Sequence, residues 1–163
     1  MADQIITQEF LQKMYEYSNG ILYKKPQTKR CKLGLIAGTI RKDGYTRISI
    51  NNKLYYSHRL IYMMFYGEMP KQIDHIDGNP SNNKIENLRP ANNTQNSFNK
   101  KITKSNTSGY KNVYWHKAGK KWSVEIKVYG KKMYFGLFDD LELADLVAQE
   151  SRDKYHKEWA NHS

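Results

Sequence analysis

The chain has 163 residues and a single cysteine, and its 27 Lys and Arg side chains against 16 Asp and Glu give a formal charge of +11. One cysteine builds neither an internal disulfide nor a four-cysteine zinc site, and no apolar run reaches the ~18 residues that span a bilayer. The first residues (MADQIITQEFLQ) lack the basic-then-apolar order of a secretory leader. The expectation is an intracellular protein, not secreted and without a membrane partner, of one domain or two small ones, with a polyanion as its partner.

The charge is uneven. Residues 101–138 carry nine basic side chains against one acidic, whereas residues 139–163 carry three against seven. A uniformly solvated surface would not divide this way. The pattern predicts a basic face for phosphate and an acidic element held away from it.

Thr7 precedes Gln8, Glu9 and an apolar set at Phe10, Leu11, Met14 and Tyr15, which predicts a capped short helix closed near Asn19-Gly20. Ile21-Leu22-Tyr23 reads as a short strand, residues 24–34 as a basic loop and Asp43-Gly44 as a turn. Tyr45 to Ile50 alternates, Asn51-Asn52 turns and Lys53 to Tyr56 returns, which is a hairpin pattern. The run SHRLIYMMFY at 57–66 predicts a helix with Ser57 as N-cap and Gly67 as its stop. Residues 71–100 are rich in Asn and predict a short strand, a polar loop, a second strand and a helix from near Thr94. Residues 100–109 are basic and small, as a linker would be.

Beyond Gly109 the alternation is regular. Val113 and Trp115 fall on one short strand. Trp122, Val124, Ile126 and Val128 alternate with Lys121, Ser123, Glu125 and Lys127, and Met133, Phe135 and Leu137 alternate with Lys132 and Tyr134. This predicts a three-stranded antiparallel sheet with one apolar face. Asp139-Asp140 open a helix whose Leu141, Ala144, Ala148 and Tyr155 cover that face.

Asp74-His75 is the sharpest chemical signal. Neighbours on a strand point to opposite faces, so one can hold a metal while the other addresses a water. Asn87 and Asn96 follow His75 by twelve and twenty-one residues, a length over which a strand, loop, strand and helix can fold back. Carboxylate and carboxamide oxygens are hard ligands that suit Mg²⁺ or Mn²⁺ rather than zinc. A neutral imidazole can accept a proton from water.

Residues 58–100, with HRL, GEMP and IDHIDGNPSNNKIENLRPANNTQNSFNK, resemble the HNH nuclease motif in the form found in phage and intron-encoded homing endonucleases. The resemblance implies a ββα-metal active site. In it His75 is the general base, Asn87 is the central Asn that holds the loop and orients that His, and Asp74 with Asn96 hold one divalent ion, Mg²⁺ or Mn²⁺. The third position is Asn rather than His, a variant within the family. Asn83 competes with Asn87 for the central role, and Asn99 with Asn96. Arg59 and Arg89 are the candidates to bind phosphate, with a structural role as the alternative for each. His58 is expected to be packed or hydrogen-bonded. The implied reaction is phosphodiester hydrolysis to a 5′-phosphate and a 3′-hydroxyl.

Residues 108–159 are similar to the AP2 DNA-binding domain, on the strings GYKNVYW, KKWSVEI, YFGLF and the Ala-containing helix after them. The similarity implies a sheet lying in the major groove with the helix behind it. Lys121, Ser123, Glu125 and Lys127 project from one face of the middle strand, and Lys111, Trp115, Lys132 and Tyr134 can join them from the flanking strands. Trp122 is assigned to the core. Lys stands where the plant pattern has Arg at Lys111, Lys127 and Lys132, and lacks the fork that reads guanine, so looser selectivity is expected.

The expected architecture is α+β: an N-terminal extension of the nuclease unit at 1–57, an HNH core at 58–100, a basic linker at 101–108 and an AP2-like sheet packed on one helix at 109–163. The extension would add sheet and DNA-contact surface, and Tyr45, Ile48, Leu60, Met64 and Phe65 would pack the nuclease unit. The expected function is a metal-dependent endonuclease on double-stranded DNA, homing or not, acting as a monomer without an obligate protein partner. The rivals are a sequence-specific DNA-binding regulator with a silent nuclease scaffold, and an RNA-directed nuclease. Aromatics that alternate inward disfavour the RNA reading.

Overall fold

Side-chain caps and pairs of left-handed residues set most boundaries in residues 6–26, 34–103 and 105–162, the parts of the chain that the computed structural model describes. They form two units that divide between Ala91 and Asn92. No described helix is long and apolar enough to cross a membrane.

In the first unit, the Thr7 side chain caps α1 (Gln8–Met14) by accepting from the Phe10 N–H. The helix is shorter than predicted. Tyr15 is extended (φ −131°, ψ 150°) and begins β1 (Tyr15–Ser18), which pairs with β2 (Ile21–Lys24). Asn19 (φ 48°) and Gly20 (φ 84°) are both left-handed, as a two-residue hairpin turn requires, so this dipeptide closes a hairpin and not a helix. β3 (Leu35–Ile36) extends the sheet beside β2. Of the expected basic loop, residues 27–33 lie outside the described residues.

A second sheet follows in the order β4 (Thr39–Ile40), β5 (Thr46–Ile50), β6 (Lys53–Tyr56). Left-handed Asn51 and Asn52 close the predicted hairpin between the last two. α2 (Ser57–Tyr66) ends at Gly67 (φ 72°), whose N–H donates to the Met63 carbonyl. Ser57 does not cap it: Tyr56 occupies the cap position, and Ser57 is buried in the first turn. At the other end, Gln8 Nε2 donates to the carbonyls of Met64 and Phe65, and Gln12 Nε2 to that of Met64, so α1 satisfies carbonyls that α2 leaves open.

Leu11, Tyr15, Leu22, Ile48, Leu60, Ile61, Ile73 and Leu88 form one buried cluster. Of the packing residues expected from sequence, Ile48 and Leu60 belong to it and Met64 lies against it. Phe65 instead is 43% exposed and meets Tyr17 edge-on at 4.9 Å. The unit ends in an antiparallel pair, β7 (Gln72–His75) and β8 (Leu88–Ala91), with Asp74 opposite Arg89 and His75 opposite Leu88.

The second unit opens with α3 (Asn93–Phe98), capped by a reciprocal pair of bonds between Asn92 and Gln95. Phe98 stacks on His156 at 3.7 Å, and Asn161 Nδ2 donates to the backbone and side-chain oxygens of Asn99, so α3 is tied into this unit. β9 (Val113–His116), β10 (Lys121–Val128) and β11 (Lys131–Phe138) form an antiparallel sheet in the order β11-β10-β9. α4 (Leu141–His156) starts where Asp140 accepts from the Leu143 N–H at 2.6 Å. Val113 and Val124 bury against its Ala144 and Ala148, with Trp122, Phe135 and Phe138 around them. The Arg152 side chain on α4 is fully buried and donates to the Lys111 carbonyl at 2.6 Å.

One expectation fails on β11. The register shifts between Val124, opposite Gly136, and Glu125, opposite Tyr134, so Phe135 is the extra residue of a bulge. Left-handed Gly136 (φ 127°) makes the bend. After it Leu137 falls opposite Ser123, on the polar face, and Phe138 takes the apolar place opposite Trp122.

Candidate functional site

His75 sits at the end of β7, 4% exposed. Its Nε2 lies 2.9 Å from Oδ1 of Asn83, which is also buried. An amide oxygen only accepts, so Nε2 carries the proton and the basic lone pair of a neutral ring is at Nδ1. Two aromatic rings pack against the imidazole, His58 at 5.1 Å and Tyr45 at 5.9 Å, and Tyr56 stacks on His58 behind them. His58 is packed, as expected, and its pKa is pushed down to about 3, chiefly by burial and then by His75 and Arg59. It stays neutral beside the site.

Asn87 is buried at the end of a 3-10 turn (Ile85–Asn87) just before β8, and its side chain turns to the loop and not to His75. Its Nδ2 donates to Asp77 Oδ1 and to the Asn82 carbonyl, and its Oδ1 accepts from the Asp77 N–H, at 2.8–3.0 Å. It therefore fastens the 76–82 loop. Burial pulls the Asp77 pKa up, but bonds from the Asn82 side chain, the Asn79 backbone and the Asn87 side chain outweigh it and hold the carboxylate ionised. Of the two candidates for the central position, Asn87 bonds the loop and Asn83 bonds the imidazole. In the sequence Asn83 is only a competitor for that role, and its one signal is its place in an Asn-rich loop.

The first unit supports that loop at two points. The Tyr17 hydroxyl accepts from the Ile85 N–H at 3.0 Å, and Ser81 Oγ donates to the Gly44 carbonyl at 2.8 Å. The extension expected to add DNA-contact surface thus buttresses the loop that carries Asn83.

Asp74 is 6% exposed, and its Oδ2 accepts from Nε and Nη2 of Arg89 at 3.1 and 3.0 Å. The pairing follows from the register, which sets the two residues opposite each other. Arg89, a phosphate candidate, is here the partner of the candidate metal ligand. Arg59 donates to the Lys71 carbonyl at 3.0 Å, just before β7. Asn96 is half-buried on α3 in the second unit. Among the described residues no group of three or more His, Cys, Asp and Glu side chains could hold a metal ion. One carboxylate and one carboxamide are a sparse set of hard oxygens. By donor chemistry alone, such residues would suit an ion that keeps waters and binds substrate phosphate, as Mg²⁺ does, and would not suit a caged structural metal.

On the second unit, β-pairing assigns the faces of the sheet. Ser123 lies opposite Tyr114, Glu125 opposite Tyr134 and Lys127 opposite Lys132, so these share one face with Lys121. Glu125 and Lys132 form an ion pair, Ser123 donates to Glu125 Oε1, and Lys121 pairs with Asp139 at 2.8 Å. This face lines a groove of about 730 Å³. Two expected members are elsewhere. Trp115 pairs with Trp122, two residues from the core residue Val113, so its side chain belongs to the opposite face. Lys111 precedes the sheet, and its ammonium donates to the carbonyls of Phe98 and Asn161 at 2.9 Å each. Burial, then Arg152, lowers its pKa to about 8. Sequence reasoning missed Tyr114 and His116, which the alternation from Val113 puts on the polar face.

Residues 55–98, the segment that carries β7, the Asn-rich loop, β8 and α3, match the HNH endonuclease family. The chain is also similar to Protein 3.8 of Escherichia phage T7, at 39% identity over 98 residues that are 59% of this chain and 81% of that protein. The chain therefore belongs to the family of that phage protein and carries an HNH endonuclease domain at 55–98. No solved structure matches it significantly.

Proposed function

We propose that this chain is a metal-dependent DNA endonuclease in which His75 activates the attacking water. The observation that carries this reading is the buried Asn83–His75 hydrogen bond within the segment that matches the HNH endonuclease family. Nδ1 of His75 takes a proton from water as the water oxygen bonds to phosphorus. The bond from phosphorus to the 3′-oxygen breaks, the leaving oxygen takes a proton from solvent water and His75 returns its proton to solvent, leaving a 5′-phosphate and a 3′-hydroxyl. Asn83 fixes the tautomer and Asn87 fixes the loop. Asp74 and, by the family pattern, Asn96 are the ligands of one Mg²⁺ or Mn²⁺. A bound divalent ion supplies neutralisation of charge on the scissile phosphate and leaving oxygen. Arg59 and Arg89 bind or balance phosphate charge.

The second unit, in this reading, is an AP2-like module that docks double-stranded DNA with Lys121, Ser123, Glu125, Lys127, Lys132 and Tyr134. A sheet of this size fits the major groove, and a basic β10–β11 region backed by an acidic helix supports it. The rival reading, a DNA-binding regulator whose nuclease site is silent, draws on one observation: Arg89 already neutralises Asp74.

Incubation of supercoiled plasmid with Mg²⁺, Mn²⁺ or EDTA, beside a His75→Ala control, separates the two. Metal-dependent nicking or linearisation that the control lacks is expected. DNA binding without cutting in either metal would favour the regulator.

A further inference from the structure

A second groove, of about 440 Å³, runs on the second unit between residues 100–103 and 105–107 on one side and β9, an edge strand of the sheet, on the other. Lys100, Lys101 and Lys117 stand exposed along it, and among the described residues no acidic one lines it. Trp115 and Tyr114, 45% and 49% exposed, form its apolar part. The composition of this segment is that of a linker, but several of its residues are held in place. Asn106 accepts from the Gly109 N–H and the Ser108 hydroxyl and donates to the Tyr110 carbonyl, at 2.8–3.0 Å. Buried Ser108 lies 2.8 Å from the Val113 carbonyl, and the anchored Lys111 lines the same groove. A loop kept only for reach would not need such bonds.

The groove adjoins the one on the polar face of the sheet. Asn112, Tyr114 and Trp115 line both. A duplex set against the sheet would therefore continue past the β9 edge over this groove, where cations and exposed rings replace the mixed-charge centre. Lysines without acids recognise phosphate and not base edges, and the exposed Tyr114 ring on the polar face offers apolar surface to deoxyribose.

We propose that this groove binds the sugar–phosphate backbone of DNA flanking the segment docked on the sheet, with Lys101 and Lys117 as phosphate contacts and Tyr114, which shares the polar face with Ser123, against the sugar. This rests on the reading that the second unit docks DNA. It assigns the groove an electrostatic, sequence-independent share of the affinity.

The test uses the full chain in EDTA, so that no cutting intervenes. Anisotropy titrations of a labelled 30-base-pair duplex across a KCl series give the slope of log K against log salt. Removing one lysine from a phosphate lowers the magnitude of the slope by about 0.9. The Lys101→Gln/Lys117→Gln chain should show a slope smaller by about 1.8, equally for duplexes of unrelated sequence, and Tyr114→Ala should weaken binding with no change in slope. Lys154→Gln/Lys157→Gln, of matched charge on and just beyond the acidic helix, should leave the slope unchanged. An unchanged slope in the groove variant, with a reduced slope in Lys127→Gln/Lys132→Gln, overturns the groove and leaves the docking reading standing. No salt-dependent binding by the unaltered chain overturns both. Thermal unfolding of each variant confirms that it is folded.

Discussion

The side-chain oxygen of Asn83 and Nε2 of His75 are 2.9 Å apart with both residues buried, eight positions apart in the chain. This contact decides which imidazole nitrogen is basic. Asn83→Leu should lower kcat for plasmid nicking by about 10–100-fold, the usual cost of removing the partner that orients a site histidine, with little change in KM. Asn83→Asp keeps the acceptor and should recover part of the loss. The ¹⁵N shifts of the His75 ring report the tautomer directly. A ring that stays protonated on Nε2 in the Leu variant would show that Asn83 does not set it.

Asn83 is held in turn by the first hairpin. A Cβ on Gly20 would lie 2.8 Å from the Lys84 nitrogen and 2.9 Å from the Asn83 carbonyl carbon, closer than real contacts allow, and Gly20 is left-handed (φ 84°). Gly20→Ala therefore meets both backbone strain, worth about 1–2 kcal/mol, and a clash with immobile backbone. Gly34→Ala is the control, since Gly34 is also left-handed (φ 79°) but has nothing within 4 Å. The expected result is a Tm for Gly20→Ala well below that of Gly34→Ala, with activity reduced beyond the fraction unfolded. Equal Tm values for the two would mean that the hairpin does not press on the loop.

What the sequence discloses, and what it hides, follows the range of the forces involved. The Thr7 cap, the Asn51-Asn52 hairpin, the Gly67 stop and the β10 alternation are local, and each is written in adjacent residues. The Asn19-Gly20 turn misleads because a left-handed Asn-Gly can close either a helix or a hairpin, and only pairing of Tyr15–Ser18 with Ile21–Lys24 chooses. The Phe135 bulge is invisible because both sides of it are apolar, so a one-residue slip leaves the pattern plausible. At the site, residue types and spacing single out Asp74, His75, Asn87 and Asn96 and leave Asn83 as a competitor of Asn87. The division of labour between Asn83 and Asn87 depends on side-chain direction in an irregular loop, which no periodicity encodes.

Lys111 illustrates a basic residue whose charge is spent inside the protein. Its ammonium joins the carbonyls of Phe98, at the end of α3, and Asn161, near the C-terminus. Lys111→Met should therefore lower Tm, by a few degrees for the ~1–2 kcal/mol that two bonds from a charged donor contribute. It should leave the salt slope of DNA binding within error of the unaltered chain. Lys127→Gln should do the reverse, since Lys127 is exposed on the sheet. A salt slope that falls in Lys111→Met as much as in Lys127→Gln would return Lys111 to the DNA-contact set.

The neutral His58 gives stability a pH dependence whose sign is fixed by its surroundings. It is 7% exposed, stacked on Tyr56, and its pKa is lowered from the ordinary 6.5 to about 3. Above pH 6.5 the residue is neutral folded and unfolded alike, and its burial carries no protonation penalty. Below 6.5 the unfolded chain takes up a proton that the folded chain refuses. Stability then falls by about 1.4 kcal/mol per pH unit until the folded pKa is reached. The lowered pKa of Asp77 acts in the same direction but only in the more acidic carboxylate range, and His156, whose pKa burial also lowers, adds to the loss between pH 6.5 and 4.5, so the His58 share is read as the difference from a variant. His58→Phe keeps an aromatic ring against Tyr56 and removes the titration. In urea unfolding between those two pH values, the unaltered chain should lose about 2–3 kcal/mol more than the Phe variant. Parallel curves would mean that the ring accepts a proton in place, and that its packing against His75 does not depend on neutrality.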